Sequence, residues 1–385
     1  MDTKAAARER IDGARDALVA LSHRIHATPE LGFEEERAAA WTAEMLDAGG
    51  FRVERGVCEL PTAFRARVGS GPLHVAVCAE YDCLPDIGHA CGHNIIAASA
   101  VGAGLGLARV ADDLGLTVTV LGTPAEENGG GKILLLERGA FAGVHMAMMV
   151  HPAPLDLVEP ATLASQQFDV HYHGKTAHAS AFPERGINAA DALTVAQTAI
   201  GLLRQHIRPT DRVHGIVLRG GEAPNVVPAH TCARYVVRAR SFAELDSVRE
   251  KVMRCFEAGA LATGARLELA NEQLAYAEVT HDHGIAAFYR RNAEALGREL
   301  PDLGPLADRF AASTDMGNVS LAIPSIHPTI GVASLPAVNH QPEFAAHCAT
   351  PVADEAMLDG AIAMAWTAID VGSDAAASAR LRRST

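Results

Sequence analysis

Three stretches of the chain, residues 73–79, 116–121 and 146–150, are rich in apolar residues and interrupted only by His74, Thr117 and Thr119, with helical spacing predicted in the segments between them. A strand with one wet face alternates apolar and polar residues, whereas a strand apolar on both sides has to be covered on both faces. Helices on the two sides of a mainly parallel central sheet supply that cover, so these runs predict an α/β layer architecture. The flanking elements agree. Ile11, Ala14, Leu18 and Leu21 predict one amphipathic helix over 4–22, a break falls at Thr28-Pro29-Glu30-Leu31-Gly32, and a second helix reaches Ala48 before Gly49-Gly50. A strand at 64–68 leads through the turn Gly69-Ser70-Gly71-Pro72 into the first apolar run. Helices follow over 94–110 and over 132–138, the second stopped by Gly139.

The pattern changes near Ala164. Residues 166–173 alternate like a half-exposed strand, a helix is predicted over 188–205, and strands at 213–218 and 232–239 are joined across a turn at Gly220-Gly221. A helix over 242–259 and a strand at 266–270 complete a β-α-β-β-α-β order, the arrangement of a small ferredoxin-like α+β domain. From His281 helices and short strands resume, through a helix over 357–370 to a tail at 373–385 expected to fray. A chain of 385 residues accommodates about two domains. The predicted division is 1–163 with 274–385 as one α/β domain, interrupted by 164–273 as the other.

Charge and cysteine usage narrow the partners. Thirty-three basic against 46 acidic residues leave a net charge of −13, and no Lys/Arg block offsets it, which argues against a nucleic-acid partner. Seven cysteines, an odd number with no C-x-x-C pair, predict reduced thiols in a cytoplasmic protein. The N-terminal residues have no apolar leader segment, and the mild run 95–111 contains Ser99 and Arg109, so it is read as a buried helix and no membrane partner is expected.

Chemistry-bearing residues cluster at the predicted strand exits, where open α/β sheets place their sites. After the first apolar run comes Gly88-His89-Ala90-Cys91-Gly92-His93-Asn94, where a thiol and an imidazole separated by one glycine can face one point, a donor pair suited to zinc. The same pair could be a buried thiol beside a core histidine. After the second run comes Gly122-Thr123-Pro124-Ala125-Glu126-Glu127, two adjacent carboxylates that can divide metal binding from proton transfer, or form a solvated acidic turn. The third run ends at His151, and Asn339-His340-Gln341-Pro342-Glu343-Phe344 lies far downstream. A Cys91 nucleophile with His93 as base is a competing reading. Gly129-Gly130-Gly131-Lys132 lacks the hydroxyl after the lysine that a phosphate loop needs, and Gly102, Gly104 and Gly106 lie inside a helix with the wrong spacing for a dinucleotide site.

The run Glu80-Tyr81-Asp82-Cys83-Leu84-Pro85, continued by Gly88 to Asn94, resembles a signature of the aminoacylase/carboxypeptidase family of dinuclear metallopeptidases. More narrowly it resembles the amidohydrolase branch, which holds aminobenzoyl-glutamate hydrolases, N-acyl-amino-acid amidohydrolases and some dipeptidases. Further matches are Thr123 to Glu127, His151, Gly174-Lys175-Thr176-Ala177-His178-Ala179, Asn225-Val226-Val227-Pro228, Ser313 to Asn318 and His340 to Phe344. The resemblance implies a catalytic domain interrupted by a lid and dimerisation domain, and two divalent metal ions (zinc, manganese, cobalt or nickel). It implies Cys91 as a ligand shared by both metals, with His93, Glu127, His151 and His340 as the others, although His347 and Asp354 compete for the last place.

By the same resemblance Glu126 is the general acid/base that deprotonates the attacking water held by the metals, and Asp82 orients a ligand imidazole. His178 reaches the neighbouring protomer's site to stabilise the oxyanion and bind substrate, and Asn225 lies near the substrate. The implied activity is hydrolysis of the amide bond in small N-acyl amino acids or dipeptide-like molecules by a homodimer paired through the inserted domain. A non-catalytic scaffold with the same fold is the alternative. Asn94 departs from the Asp found in many relatives, and Arg238 is left outside the site.

Overall fold

The computed structural model describes residues 2–304 and 311–383. Among these residues the chain forms twelve strands: β1 (Arg52–Arg55), β2 (Phe64–Val68), β3 (Leu73–Ala79), β4 (Leu116–Gly122), β5 (Met146–Met148), β6 (His151–Ala153), β7 (Ala164–His173), β8 (Arg212–Arg219), β9 (His230–Ala239), β10 (Arg266–Ala270), β11 (Ser325–Ile326) and β12 (Thr329–Gly331). Two compact units divide them, one built from the residues up to Ala161 and from Val279 onward, the other from Thr162–Glu278.

The first unit is a six-stranded sheet in the order β1-β2-β4-β3-β5-β11. β3 runs parallel to both β4 and β5, and β5 parallel to β11, while β1 and β2 add an antiparallel margin. Every residue of β4 is buried, Thr117 and Thr119 included, as is every residue of β3 except His74, so both strands are covered on both faces. The helix His93–Ala108 is buried at every residue except Ala108, and its glycines explain how. A Cβ on Gly102 would sit 2.8 Å from the Ala361 Cβ, one on Gly104 2.7 Å from Val120, and one on Gly106 2.8 Å from Ile11. Small residues on several faces thus let two neighbouring helices and the sheet approach the same backbone.

Three expectations need correction. The single helix expected over 4–22 is two, Thr3–Asp12 and Arg15–His26, broken at Gly13. The break falls at a residue of poor helix propensity and lets Ile11 reach Gly106 while Leu18 reaches Gly102. The run 146–150 is not one strand. β5 stops at Met148, and the chain restarts at His151 as β6, which pairs in parallel with β12 in a separate two-stranded sheet. The tail expected to fray forms the helix Ala375–Leu381, because Asp374 accepts from the Ala376 and Ala377 N–H groups and Arg380 pairs with Asp282. Its last residues, Ser384 and Thr385, lie outside the described residues.

The inserted unit is a four-stranded antiparallel sheet in the order β10-β7-β9-β8, the ferredoxin-like topology. Phe168, Val170 and Tyr172 of β7 are buried with residues of the helices Ala189–Leu203 and Phe242–Thr263, and the Tyr172 hydroxyl donates to the Phe256 carbonyl at 2.7 Å. β8 is an edge strand, with Ile216 exposed to 63% and Val217 and Leu218 both exposed.

Candidate metal centre

Four backbone devices shape the site in the first unit. After β3, Gly92 adopts φ +77°, and a Cβ there would lie 2.5 Å from Pro152 and 3.0 Å from the Cys348 sulfur. Only glycine therefore lets the Cys91–His93 turn close against the His151-Pro152 segment. After β4, Ala125 is also left-handed at φ +56°, its carbonyl accepts from the Gly129 and Gly130 N–H groups, and its own N–H donates to the buried Glu35 carboxylate at 2.8 Å. That turn presents Glu126 and Glu127. His151 opens β6, and His340, at φ +68°, donates its N–H to the Ala90 carbonyl at 2.8 Å.

These segments bring six of the predicted residues together. Ligand atoms of Cys91, His93 and His151 lie within 4.8 Å of one another, as do those of Cys91, Glu127 and His340. Cys91 belongs to both triads. Its sulfur is 3.4 Å from His151 Nε2, and His340 Nε2 is 3.5 Å from Glu127 Oε1. Glu126 Oε2 stands 3.9 Å from His93 Nε2. Among the described residues neither His347 nor Asp354 joins such a group, and Asp354 is instead bound to His23 at 2.8 Å.

Asp82 couples two of these segments. Its Oδ1 is 2.9 Å from His93 Nδ1, and its Oδ2 accepts the Glu127 N–H at 3.0 Å. Burial opposes its ionisation, but the charge and hydrogen bond of His93 outweigh burial and hold the carboxyl below its usual range. The contact also turns the free His93 Nε2 toward the centre, where it is buried without a hydrogen-bond partner, as are Glu127 Oε1 and Glu80 Oε2. Buried polar atoms without partners are rare and costly. An imidazole, a thiol and a carboxylate converging with unspent lone pairs are the donor set of a borderline-soft divalent cation. The Cys91 thiol fits this as well: burial, then the Glu127 charge, push it well above the usual thiol range, so ionisation there calls for a cation and an unassisted nucleophilic thiolate is disfavoured.

Glu126 is pushed well above the usual carboxylate range by burial and then by the charges of Glu80, Glu127 and Asp315. A carboxyl that holds its proton this readily suits a group that takes and returns one.

Three groups of residues near these carboxylates went without a role in the sequence. Lys132, fully buried, pairs with Glu80 and with Asp315 at 2.7 Å, and oxygens of Glu80, Asp315 and Glu126 lie within 4.8 Å of one another. Glu80 and Asp315 fall inside the matched runs, but Lys132 reads only as a failed phosphate loop. Glu35 had no signal beyond an acidic stretch. His327, whose ring sits 5.5 Å from that of His151, carries no signal in the sequence beyond following Ser325-Ile326.

His178 and Asn225 belong to the inserted unit and lie beside each other. His178 forms a backbone bridge with Val226, and the Ala179 N–H donates to the Asn225 carbonyl at 3.0 Å. Both side chains are exposed. His178 Nδ1 accepts from the Ser180 and Ala181 N–H groups at 3.3 and 3.2 Å, which leaves Nε2 as the protonated nitrogen of the neutral ring.

Known proteins share the fold and much of the sequence. Residues 164–263 match the family described as the peptidase dimerisation domain of M20 proteins. Over 383 residues the chain is 39% identical to the Xaa-Arg dipeptidase of Mus musculus, covering 96% of this chain and 88% of that protein. The chain belongs to the M20 peptidase family. It is also 32% identical to a p-aminobenzoyl-glutamate hydrolase chain of Escherichia coli over 68% of this chain and 58% of that protein. A dinuclear metal-binding peptidase of the M20 family from Bacillus subtilis superposes with a TM-score of 0.71 at 21% identity, covering 94% of this chain and 99% of that one. As an M20 protein the chain is a metal-dependent hydrolase of amide bonds with a centre for two metal ions, and its inserted unit is the family's dimerisation domain. No helix among the described residues is long and apolar enough to cross a membrane.

Proposed function

We propose that this M20 enzyme is a dipeptidase that releases a C-terminal basic residue, with Cys91 shared between two metal ions. The observation that carries the centre is the pair of ligand triads, Cys91–His93–His151 and Cys91–Glu127–His340, which meet at one sulfur. The substrate class rests on the 39% identity to an Xaa-Arg dipeptidase along nearly the whole chain.

Two divalent cations, when bound, make water a nucleophile near neutral pH and polarise the amide carbonyl. The protein side of the reaction belongs to named residues. Glu126, held beside Glu80, Asp315 and Lys132, takes the proton from the attacking water and returns it to the leaving amine nitrogen as the carbon–nitrogen bond breaks and the new carbon–oxygen bond stands. Asp82 holds His93 and Glu127 in register. His178 offers Nε2–H to the developing oxyanion from the neighbouring protomer, with Asn225 next to it on the substrate side.

The assembly is a homodimer paired along β8, whose outer edge and exposed Ile216, Val217 and Leu218 suit strand addition. The metals are of the zinc, manganese, cobalt or nickel class, and the seven free cysteines suit a reducing cytoplasm.

Turnover of a panel of dipeptides and N-acyl amino acids tests the specificity. The highest kcat/KM is expected for dipeptides ending in Arg or Lys, and equal or better turnover of acyl amino acids or aminobenzoyl-glutamate would overturn the substrate class. The centre is tested separately by metal analysis. Cys91→Ala is expected to retain about two equivalents fewer than the parent protein and to lose activity; unchanged metal content would remove Cys91 from the centre.

A further inference from the structure

A second constellation of metal-ligating side chains lies on the open face of the inserted unit's sheet, and the hydrolytic reaction makes no use of it. Along β7 the side chains of Asp169, His171 and His173 share one face, opposite the face that Phe168, Val170 and Tyr172 bury among the helices. β9 sets Arg234 across from Asp169, Cys232 across from His171 and His230 across from His173. A sheet face that needs only solubility is served by lysine, glutamate or threonine. Here it carries three imidazoles, a thiol and a buried carboxylate within three successive cross-strand pairs.

From this face we propose a further metal site, formed by Asp169, His171 and Cys232, that takes one divalent cation of the zinc class. The three ligand atoms lie within 4.8 Å of one another. Cys232 Sγ is 3.6 Å from His171 Nε2. Tetrahedral zinc, with Zn–S of about 2.3 Å and Zn–N of about 2.0–2.1 Å, sets sulfur and nitrogen about 3.6 Å apart, so that edge of the coordination shell is already in place.

The surroundings orient each ligand. His171 Nδ1 lies 2.9 Å from His230 Nε2, and a proton on Nδ1 shared with His230 leaves the lone pair of Nε2 pointing at Cys232. His230 is in turn stacked on His173 at 4.9 Å between ring centres. Asp169 is held by the Arg234 fork at 2.7 and 3.0 Å and by Asn271 at 2.8 Å. Three donors leave one of a carboxylate's roughly four lone-pair positions for a cation. Sulfur and nitrogen donors select zinc, cobalt, nickel or copper over magnesium and calcium. Three protein ligands leave the fourth position to water. Bound there, the ion would clamp β7 to β9, the two central strands of the sheet, and so stabilise the unit by an amount that grows with the logarithm of free metal above the dissociation constant.

Zinc binding to the full-length protein, by equilibrium dialysis followed by elemental analysis, tests this directly. Cys232→Ser and His171→Asn are each expected to hold about one equivalent fewer than the parent while keeping peptidase activity. The same zinc content in the parent and both variants would overturn the site and leave the cluster a hydrogen-bonded histidine network. The Cys91→Ala protein supplies a second reading that does not require the Cys232 variant to fold. Cobalt added to it after chelation is expected to give a thiolate-to-cobalt absorption band, and Cys232→Ser in that background to abolish it. No band in Cys91→Ala would reject Cys232 as a ligand, whereas failure of the dinuclear centre itself would appear as unchanged metal content on removing Cys91.

Discussion

Glu126 and Glu127 are neighbours in the chain, yet their surroundings push them apart. Burial opposes ionisation of both, but the nearby imidazoles of His340 and His93 hold Glu127 low, while Glu80, Glu127 and Asp315 raise Glu126. That contrast suits Glu127 to cation binding and Glu126 to proton transfer, the roles proposed for them. Glu126→Gln is expected to keep the metal content of the parent and lower kcat by roughly two to four orders of magnitude; near-parental turnover with full metal would assign the proton transfer elsewhere. Asp82 acts one step removed, through His93 Nδ1 and the Glu127 N–H. Asp82→Asn should therefore weaken metal binding by about 10–100-fold, read as the chelator concentration that halves activity, with little change in kcat once metal is saturating. A drop in kcat at saturating metal would instead place Asp82 among the reacting groups.

At the scale of elements, the last helix is a case where one carboxylate joins two pieces of chain. Asp282 caps the helix His283–Ala295 by accepting the Ile285 N–H at 3.0 Å, and both of its oxygens meet Arg380 of the helix Ala375–Leu381, at 2.6 and 2.8 Å. Burial opposes its ionisation, but Arg380 and the Ile285 and Gly284 N–H groups more than compensate, so its folded pKa lies below the usual value. A depressed folded pKa means that the stabilisation is fully present above the unfolded value of about 3.9 and is lost as pH falls through the folded one. Asp282→Asn keeps a capping oxygen but not the charge. Denaturant midpoints of parent and variant should differ above pH of about 4 and converge as the pH drops below it. A gap that widens in acid would have the opposite sign and exclude this origin. The partly exposed Arg380 keeps the effect small.

At the scale of the whole molecule, the chain splits its labour between a unit that gathers ligands and a unit that presents an edge. β8 is hydrogen-bonded on one side by β9 and carries Ile216, Val217 and Leu218 outward, with Leu202 of the helix Ala189–Leu203 exposed to 71%. Ile216→Lys is expected to shift the sedimenting species from dimer to monomer. If His178 acts across the dimer, activity should fall with it and return at high protein concentration. A fully active monomer would remove His178 from the reaction, and an unchanged dimer would move the interface away from β8.

The α/β layering and the ferredoxin-like insert were legible in the chain because burial on both faces and burial on one face leave different periodicities, unbroken at 75–79 and alternating at 166–173. The candidate ligands were named by the family resemblance, because spacing alone left Cys91-Gly92-His93 and Glu126-Glu127 open to a buried thiol beside a core histidine and to a solvated acidic turn. What no local pattern encodes is convergence. That Cys91 belongs to two triads, that Asp82 steadies both His93 and Glu127, and that Lys132 lies between Glu80 and Asp315 depend on segments up to 249 positions apart, as Cys91 and His340 are. Gly13 reads as one more residue in a long amphipathic helix until the glycines of the helix His93–Ala108 show where Ile11 and Leu18 must go. The row of histidines on β7 and β9 likewise reads as two unrelated strand faces until the register sets His171 against Cys232. Periodicity reports which side of an element is buried; only packing decides what it is buried against.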